Sequence, residues 1–160
     1  HDDEIAGKNI THKSGIDNYL INDDFWKNFN STDYERLHLI QTGNQITLTG
    51  CIVSKSINII NNSRDGSSSV LFTLGSRITP RRDIRLPISI MEWESGKNND
   101  SRDRSDEKTI NGYILIDSRT GEVGIIAHPQ NRKFAEPIYH LLDDYDRPWI
   151  MFHGSTFYID

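Results

Sequence analysis

Residues 110–127 read Ile-Asn-Gly-Tyr-Ile-Leu-Ile-Asp-Ser-Arg-Thr-Gly-Glu-Val-Gly-Ile-Ile-Ala, and they decide the fold. Two runs rich in β-branched and aromatic residues flank Ser118-Arg119-Thr120-Gly121, where Gly121 can take the positive φ of a tight hairpin. Ile114 and Ile116 fall on one face of the first run, Tyr113 and Leu115 on the other. In the second run Val123 and Ile125 share a side, with Gly124 and Ile126 opposite. A strand that is apolar on both sides is central and covered above and below. The stretch therefore predicts the middle hairpin of a β-sandwich.

Working outward, the same period of two recurs. Leu37 to Gln41 leads into a Thr42-Gly43-Asn44-Gln45 turn. Ile46, Leu48, Gly50 and Ile52 then alternate with Thr47, Thr49, Cys51 and Val53, which predicts a half-buried antiparallel strand with Cys51 as a small filler on its outer side. Val70, Phe72 and Leu74 form another strand. A turn over 75–83 carries Arg77, Pro80, Arg81 and Arg82. Ile84, Leu86, Ile88 and Ile90 alternate with Arg85, Pro87, Ser89 and Met91. Because proline cannot donate to a ladder, that strand lies at an edge or holds Pro87 at a non-bonded position. Residues 149–152 and 156–159 read as a terminal hairpin around His153-Gly154-Ser155. A further short strand is expected over 56–60, one at 19–21, and one helical turn over 138–142. With turn signals every eight to twelve residues, the chain reads as an all-β antiparallel β-sandwich, jelly-roll-like, with at most one short helix. Residues 1–23 read as an N-terminal arm or linker and 24–160 as the sandwich domain. The Phe25, Trp26 and Phe29 cluster either caps the core or, through Trp26, offers a platform for a sugar ring.

Composition narrows the function classes. At 160 residues with a net charge of −5, the chain is one domain without the basic face of a general nucleic-acid binder. No run approaches the apolar length of a membrane helix. One cysteine, Cys51, excludes an intrachain disulfide and a cysteine-based zinc site. The first residue is His1 rather than Met, so the chain reads as an excised part of a longer protein. Residues 94–109 are nearly all charged or polar, which predicts a mobile hairpin tip.

The order of these signals resembles the carbohydrate-binding and receptor-binding domains of baseplate and tail-fibre proteins from phages of Gram-positive bacteria, lactic acid bacteria above all. The resemblance runs from Trp26 to Ile159. It is carried by Thr42-Gly43-Asn44-Gln45-Ile46-Thr47-Leu48-Thr49-Gly50, Leu71-Phe72-Thr73-Leu74 before a Pro-containing turn, and Arg85-Leu86-Pro87-Ile88. Ile114-Leu115-Ile116-x4-Gly121-x-Val123 and Trp149-Ile150-x-Phe152-x-Gly154-x3-Tyr158 complete it. It implies a non-enzymatic domain of the virion, made in the bacterial cytoplasm, whose partners are a bacterial cell-wall saccharide and other tail proteins. Some such domains are homotrimers and others monomeric modules. No cofactor, nucleic acid or membrane partner is implied, and no binding residue carries over by motif.

Sugar recognition needs an aromatic face against the C–H side of a pyranose and planar polar groups that read hydroxyls. Those residue types converge in Tyr139-His140-x2-Asp143-Asp144-Tyr145-Asp146-Arg147-x-Trp149. Tyr139, His140, Asp143, Asp144, Tyr145 and Arg147 are the candidate carbohydrate-binding residues there, with Trp93 as a second aromatic candidate. The alternative is a solvated acidic loop with Tyr145 and Trp149 in the core. Adjacent aspartates say nothing about the opposed carboxylates of a glycosidase, and they lack the spacing of an EF-hand. Arg77, Arg81, Arg82 and Arg85 form a small basic patch suited to a sugar phosphate, or to a solvated turn. Two other classes stay open beside a binding module: a structural or oligomerisation domain without a ligand, and a glycan hydrolase.

Overall fold

A computed structural model describes residues 8–10, 19–29, 35–55, 69–94, 108–126, 130, 134 and 146–160. The strands are β1 (Lys8–Ile10), β2 (Tyr19–Ile21), β3 (Trp26–Asn28), β4 (His38–Thr42), β5 (Gln45–Ser54), β6 (Val70–Leu74), β7 (Ile84–Glu94), β8 (Lys108–Ile116), β9 (Glu122–Ile126) and β10 (Asp146–Tyr158), with a 3-10 turn at Ser76–Ile78. There is no α-helix among the described residues. The all-β, antiparallel fold expected from the alternation is what forms.

The strands make one ten-stranded sheet in the order β1-β4-β5-β10-β7-β8-β9-β6-β2, and β3 pairs with β5 beyond the end of β4. All ladders between named strands are antiparallel. The sheet curls almost into a closed wall, so its two layers are halves of one surface. Residues 23–25 turn the chain from β2, at one end of the path, into β3, which pairs with β5 near the other. The Tyr19 hydroxyl on β2 donates to the Leu37 carbonyl just before β4, at 2.7 Å. Phe72 of β6 meets Phe152 of β10 edge-on, 6.0 Å between centroids, although three strands separate β6 from β10 in the sheet. That contact spans the interior.

Inside lie Ile46, Leu48 and Ile52 of β5, Ile88 and Ile90 of β7, Ile114 and Ile116 of β8, and Val123 and Ile125 of β9. Fully burying side chains of this size contributes about 1.5–3 kcal/mol each before entropy is counted. The strand cores at 114–116 and 123–126 are covered on both sides, as their pattern demands. Leu115 and Ile126 face away from the interior yet are buried, and the Phe134 ring lies on Gly124 so closely that a Cβ there has no room. Trp26 is also fully buried, so it is a core residue and not a sugar platform. The hairpin loop is held by its own polar groups. The Asp117 side chain accepts from the Arg119 amide at 2.8 Å, and the Asp117 carbonyl accepts from the Gly121 amide at 2.8 Å.

Two expectations need correction. His153-Gly154-Ser155 is not a turn between two strands: β10 is a single strand through Tyr158, and its register on β5 shifts between His153 and Ser155. Gly154 sits at φ +79° in that bulge. The odd spacing of Phe152 and Phe157 sends them to opposite faces of a regular strand. The extra residue at the bulge restores phase, and both rings are buried in the core. Second, Glu94, Lys108 and Thr109 belong to β7 and β8 and not to a loop. The strand expected over 56–60, the helical turn over 138–142 and the tip between β7 and β8 lie outside the described residues.

Candidate functional site

The paired strands β7 and β10 offer two places where function can sit. At one end the backbone ladder is closed: Asp146 stands opposite Glu94, Arg147 opposite Trp93, Pro148 opposite Glu92 and Trp149 opposite Met91. Cα partners of this kind are about 4.5–5.5 Å apart. Two of the candidate sugar-binding residues, Trp93 and Arg147, are therefore cross-strand neighbours, although neither lies near the other in sequence. Next along β10, Trp149 is half-buried, packed on Phe29 with 4.7 Å between ring centroids. It is part of the outer packing and not a free platform. Tyr139, His140, Asp143, Asp144 and Tyr145 lie outside the described residues.

At the other end the two strands separate. The ladder between β10 and β7 runs from Asp146–Glu94 to Met151–Ser89 and no further, while β8 stays paired to β7 as far as Ile84. Side chains then bridge the parting strands. His153 Nε2 lies 2.7 Å from Ser89 Oγ, and the Ser155 hydroxyl donates to the Pro87 carbonyl at 3.2 Å. N–H and C=O of one residue leave a strand on the same side, so the missing N–H of Pro87 belongs to the β10 side. The β8 ladder loses nothing by it. This is the second of the two placements expected for Pro87, a non-bonded position within an interior strand.

Beyond Ser155 the gap opens into a cleft of about 560 Å³ lined by Pro80, Arg81, Arg82, Ile84, Thr156, Phe157, Tyr158 and Asp160. Arg81 and Arg82 are exposed, and neither makes an ion pair or hydrogen bond among the described residues. Tyr158 is 60% exposed, the most exposed large apolar side chain among the described residues. On the arm beside it, the Asp83 carboxylate accepts from the Ser118 amide and the Ser118 hydroxyl, both at 2.9 Å. These bonds hold its pKa below the usual carboxylate value, with smaller help from Arg85 and Arg119.

The basic patch was legible as a cluster of arginines. Thr156, Phe157 and Tyr158 were not, because a terminal strand carries no local sign that one of its edges is left open. Elsewhere, Cys51 is buried and its thiol is pushed up to about 12 by desolvation, as suits a small filler. No group of three His, Cys, Asp or Glu side chains able to hold a metal ion occurs among the described residues, and none of their helices is long and apolar enough to cross a membrane. Compared with known proteins, the chain matches no family model, no curated protein and no solved structure.

Proposed function

We propose that the domain binds a cell-surface saccharide without cutting it, as an attachment module of a phage tail or baseplate. The observation that supports this reading is the pairing of Trp93 with Arg147 at the closed end of the β7–β10 ladder. Tryptophan and arginine are residue types that sugar recognition combines, one for stacking and one for planar hydrogen bonding, and the register makes these two cross-strand partners. The chain leaves β7 at Glu94 and enters β10 at Asp146 at this same end, and the other candidates, Tyr139 to Tyr145, precede β10 in the sequence. Single-site affinity for such a ligand is weak, and many copies on one particle supply avidity.

The test is a fluorescent fusion incubated with a broad panel of lactic acid bacteria, followed by titration with cell-wall saccharide fragments. Trp93→Ala and Arg147→Ala should each remove decoration while leaving the thermal transition in place. Failure to decorate any strain, with no saccharide binding by titration, would leave a purely structural tail domain as the better account. Release of reducing ends from the polysaccharide would replace binding by hydrolysis.

A further inference from the structure

We infer that the open end of the β7–β10 pair is a strand-acceptor site: an extended, acidic peptide segment of a protein partner adds, in the cleft beside Arg81 and Arg82, to the edge of β10 that no described strand pairs. This inference does not depend on the saccharide reading, since it concerns the opposite end of the ladder and a different ligand.

The backbone decides which groups are on offer. The Ile159 amide donates to the Asn44 carbonyl at 2.9 Å, on the β5 side of β10. Residues two apart in a strand turn their backbone groups the same way, so Phe157 also faces β5, opposite Ile46. Thr156 and Tyr158 then turn their N–H and C=O away from β5, towards the cleft. Side chains agree with this phase. The Thr47 and Thr156 hydroxyls lie 3.2 Å apart, the closer approach that marks a pair without mutual backbone bonds. On the facing arm, Pro87 offers only a carbonyl, already taken by Ser155. Arg85 is the one residue of that arm, short of the ladder, whose N–H and C=O face the same way as Pro87's. The cleft thus presents peptide groups repeating every second residue along β10, which an extended chain matches and a sugar ring does not.

Charge selects among extended chains. In a chain of net charge −5, two exposed arginines flank this edge, and Asp160 is the only acidic residue of the lining. A segment carrying a carboxylate at the level of Arg81 and Arg82 gains charge-assisted bonds that a neutral or basic segment lacks.

The probe is the capped peptide acetyl-Thr-Val-Asp-Val-Thr-amide, titrated into the intact protein and followed by amide exchange and NMR shifts. Two further versions carry N-methyl groups on alternate residues, one on the odd positions and one on the even. Binding should slow exchange at Thr156 and Tyr158 and leave the already bonded Phe157 amide unchanged. One methylated version should fail to bind and the other should succeed. Arg81→Glu with Arg82→Glu, both on the surface, should weaken the peptide about tenfold or more. The same variant should leave saccharide binding at the far end intact.

Equal binding by both methylated peptides would overturn the inference, because the contact would then not be a backbone ladder. So would unchanged exchange at Thr156 and Tyr158. Displacement of the peptide by glucuronate or phosphate alone, at similar concentration, would reduce the cleft to an anion site. Protection of the same amides that rises with protein concentration, without peptide, would make a second copy of the chain the occupant instead.

Discussion

Strands β7 and β10 are neighbours in the sheet, yet only half of β7 is laddered to β10. From Ser89 to Glu94 the two are joined by backbone pairing to Met151–Asp146. From Ser89 back to Ile84 they are joined, among the described residues, by two side-chain bridges, and beyond these a cleft opens. The closed half is continuous with the core, where Ile90 and Ile150 are paired and fully buried. The open half is a sheet edge inside an otherwise nearly closed wall. We attribute the difference to one inserted residue, the bulge between His153 and Ser155 that follows the last ladder pair, Met151–Ser89. The bulge at Gly154 keeps Phe157 in the core on the β5 side and thereby turns β10 out of register with β7. Packing of one aromatic ring is satisfied at the cost of several backbone bonds, and the unused groups become a place to bind.

Deleting Gly154 attacks that comparison most directly. Without the bulge, Ser155 to Tyr158 reverse their faces and Phe157 is thrown out to solvent. Losing a buried phenylalanine costs about 3–5 kcal/mol, and the hydrogen bond between Thr47 and Thr156 is lost as well. The deletion should lower the urea midpoint drastically or abolish folding. A deletion variant of undiminished stability would show that the bulge does not set the phase of β10.

How much of this was legible beforehand depends on whether the cause is local. Alternation along 46–53, 84–91 and 110–127 is a property of neighbouring residues, so the strands and their buried faces could be read from composition and spacing. Gly154 was legible as part of a turn between two strands, but a glycine suits a turn and a bulge alike. Only the pairing of Phe157 with Ile46, more than a hundred residues away in sequence, decides between them. The juxtaposition of Trp93 with Arg147 is likewise a matter of register between distant strands, and nothing in either segment names its partner. Trp26 shows the same limit within one segment, where a core cap and a sugar platform both stayed open. A short aromatic cluster looks the same whether it caps a core or waits for a sugar, and only the complete burial of Trp26 separates the two.

Gly154→Ala is the gentler version of the deletion. It keeps the residue count, and nothing lies within 4 Å of the added Cβ, so the expected loss is the left-handed backbone strain alone, about 1–2 kcal/mol. The melting temperature should fall by several degrees, with exchange at Thr156 and Tyr158 still fast. Slowed exchange there, meaning that the strands had zipped together, would instead place the cause of the opening at Gly154's own conformation and not at the register shift.

Pro87→Val separates the two features that coincide at the fork. The substitution restores an N–H on the open side, but β10 has already left, so no new ladder bond is available. Stability should change by less than about 1 kcal/mol, mostly through the freer unfolded chain. The restored amide at position 87 should exchange at the rate of an exposed group. Protection at that amide would mean that Pro87, and not the bulge, keeps the halves apart.

The smallest effect is expected at Asp83, which ties the open arm to the β8–β9 loop through Ser118. Its pKa is lowered in the folded protein, so the carboxylate's contribution is present above the unfolded value of about 3.9 and is lost as pH falls through the folded value. Because the group is exposed, screening keeps the contribution below about 1 kcal/mol. Asp83→Ala should therefore lower the urea midpoint slightly at pH 6, and the gap between variant and parent should close near pH 2. With the tie cut, amides of Ile84 to Leu86 should exchange faster while those of Ile88 and Ile90 keep their rates. A gap that stays constant from pH 6 to pH 2 would show that the arm is held by the packing of Ile84 and Leu86 against the core and not by the Asp83 carboxylate.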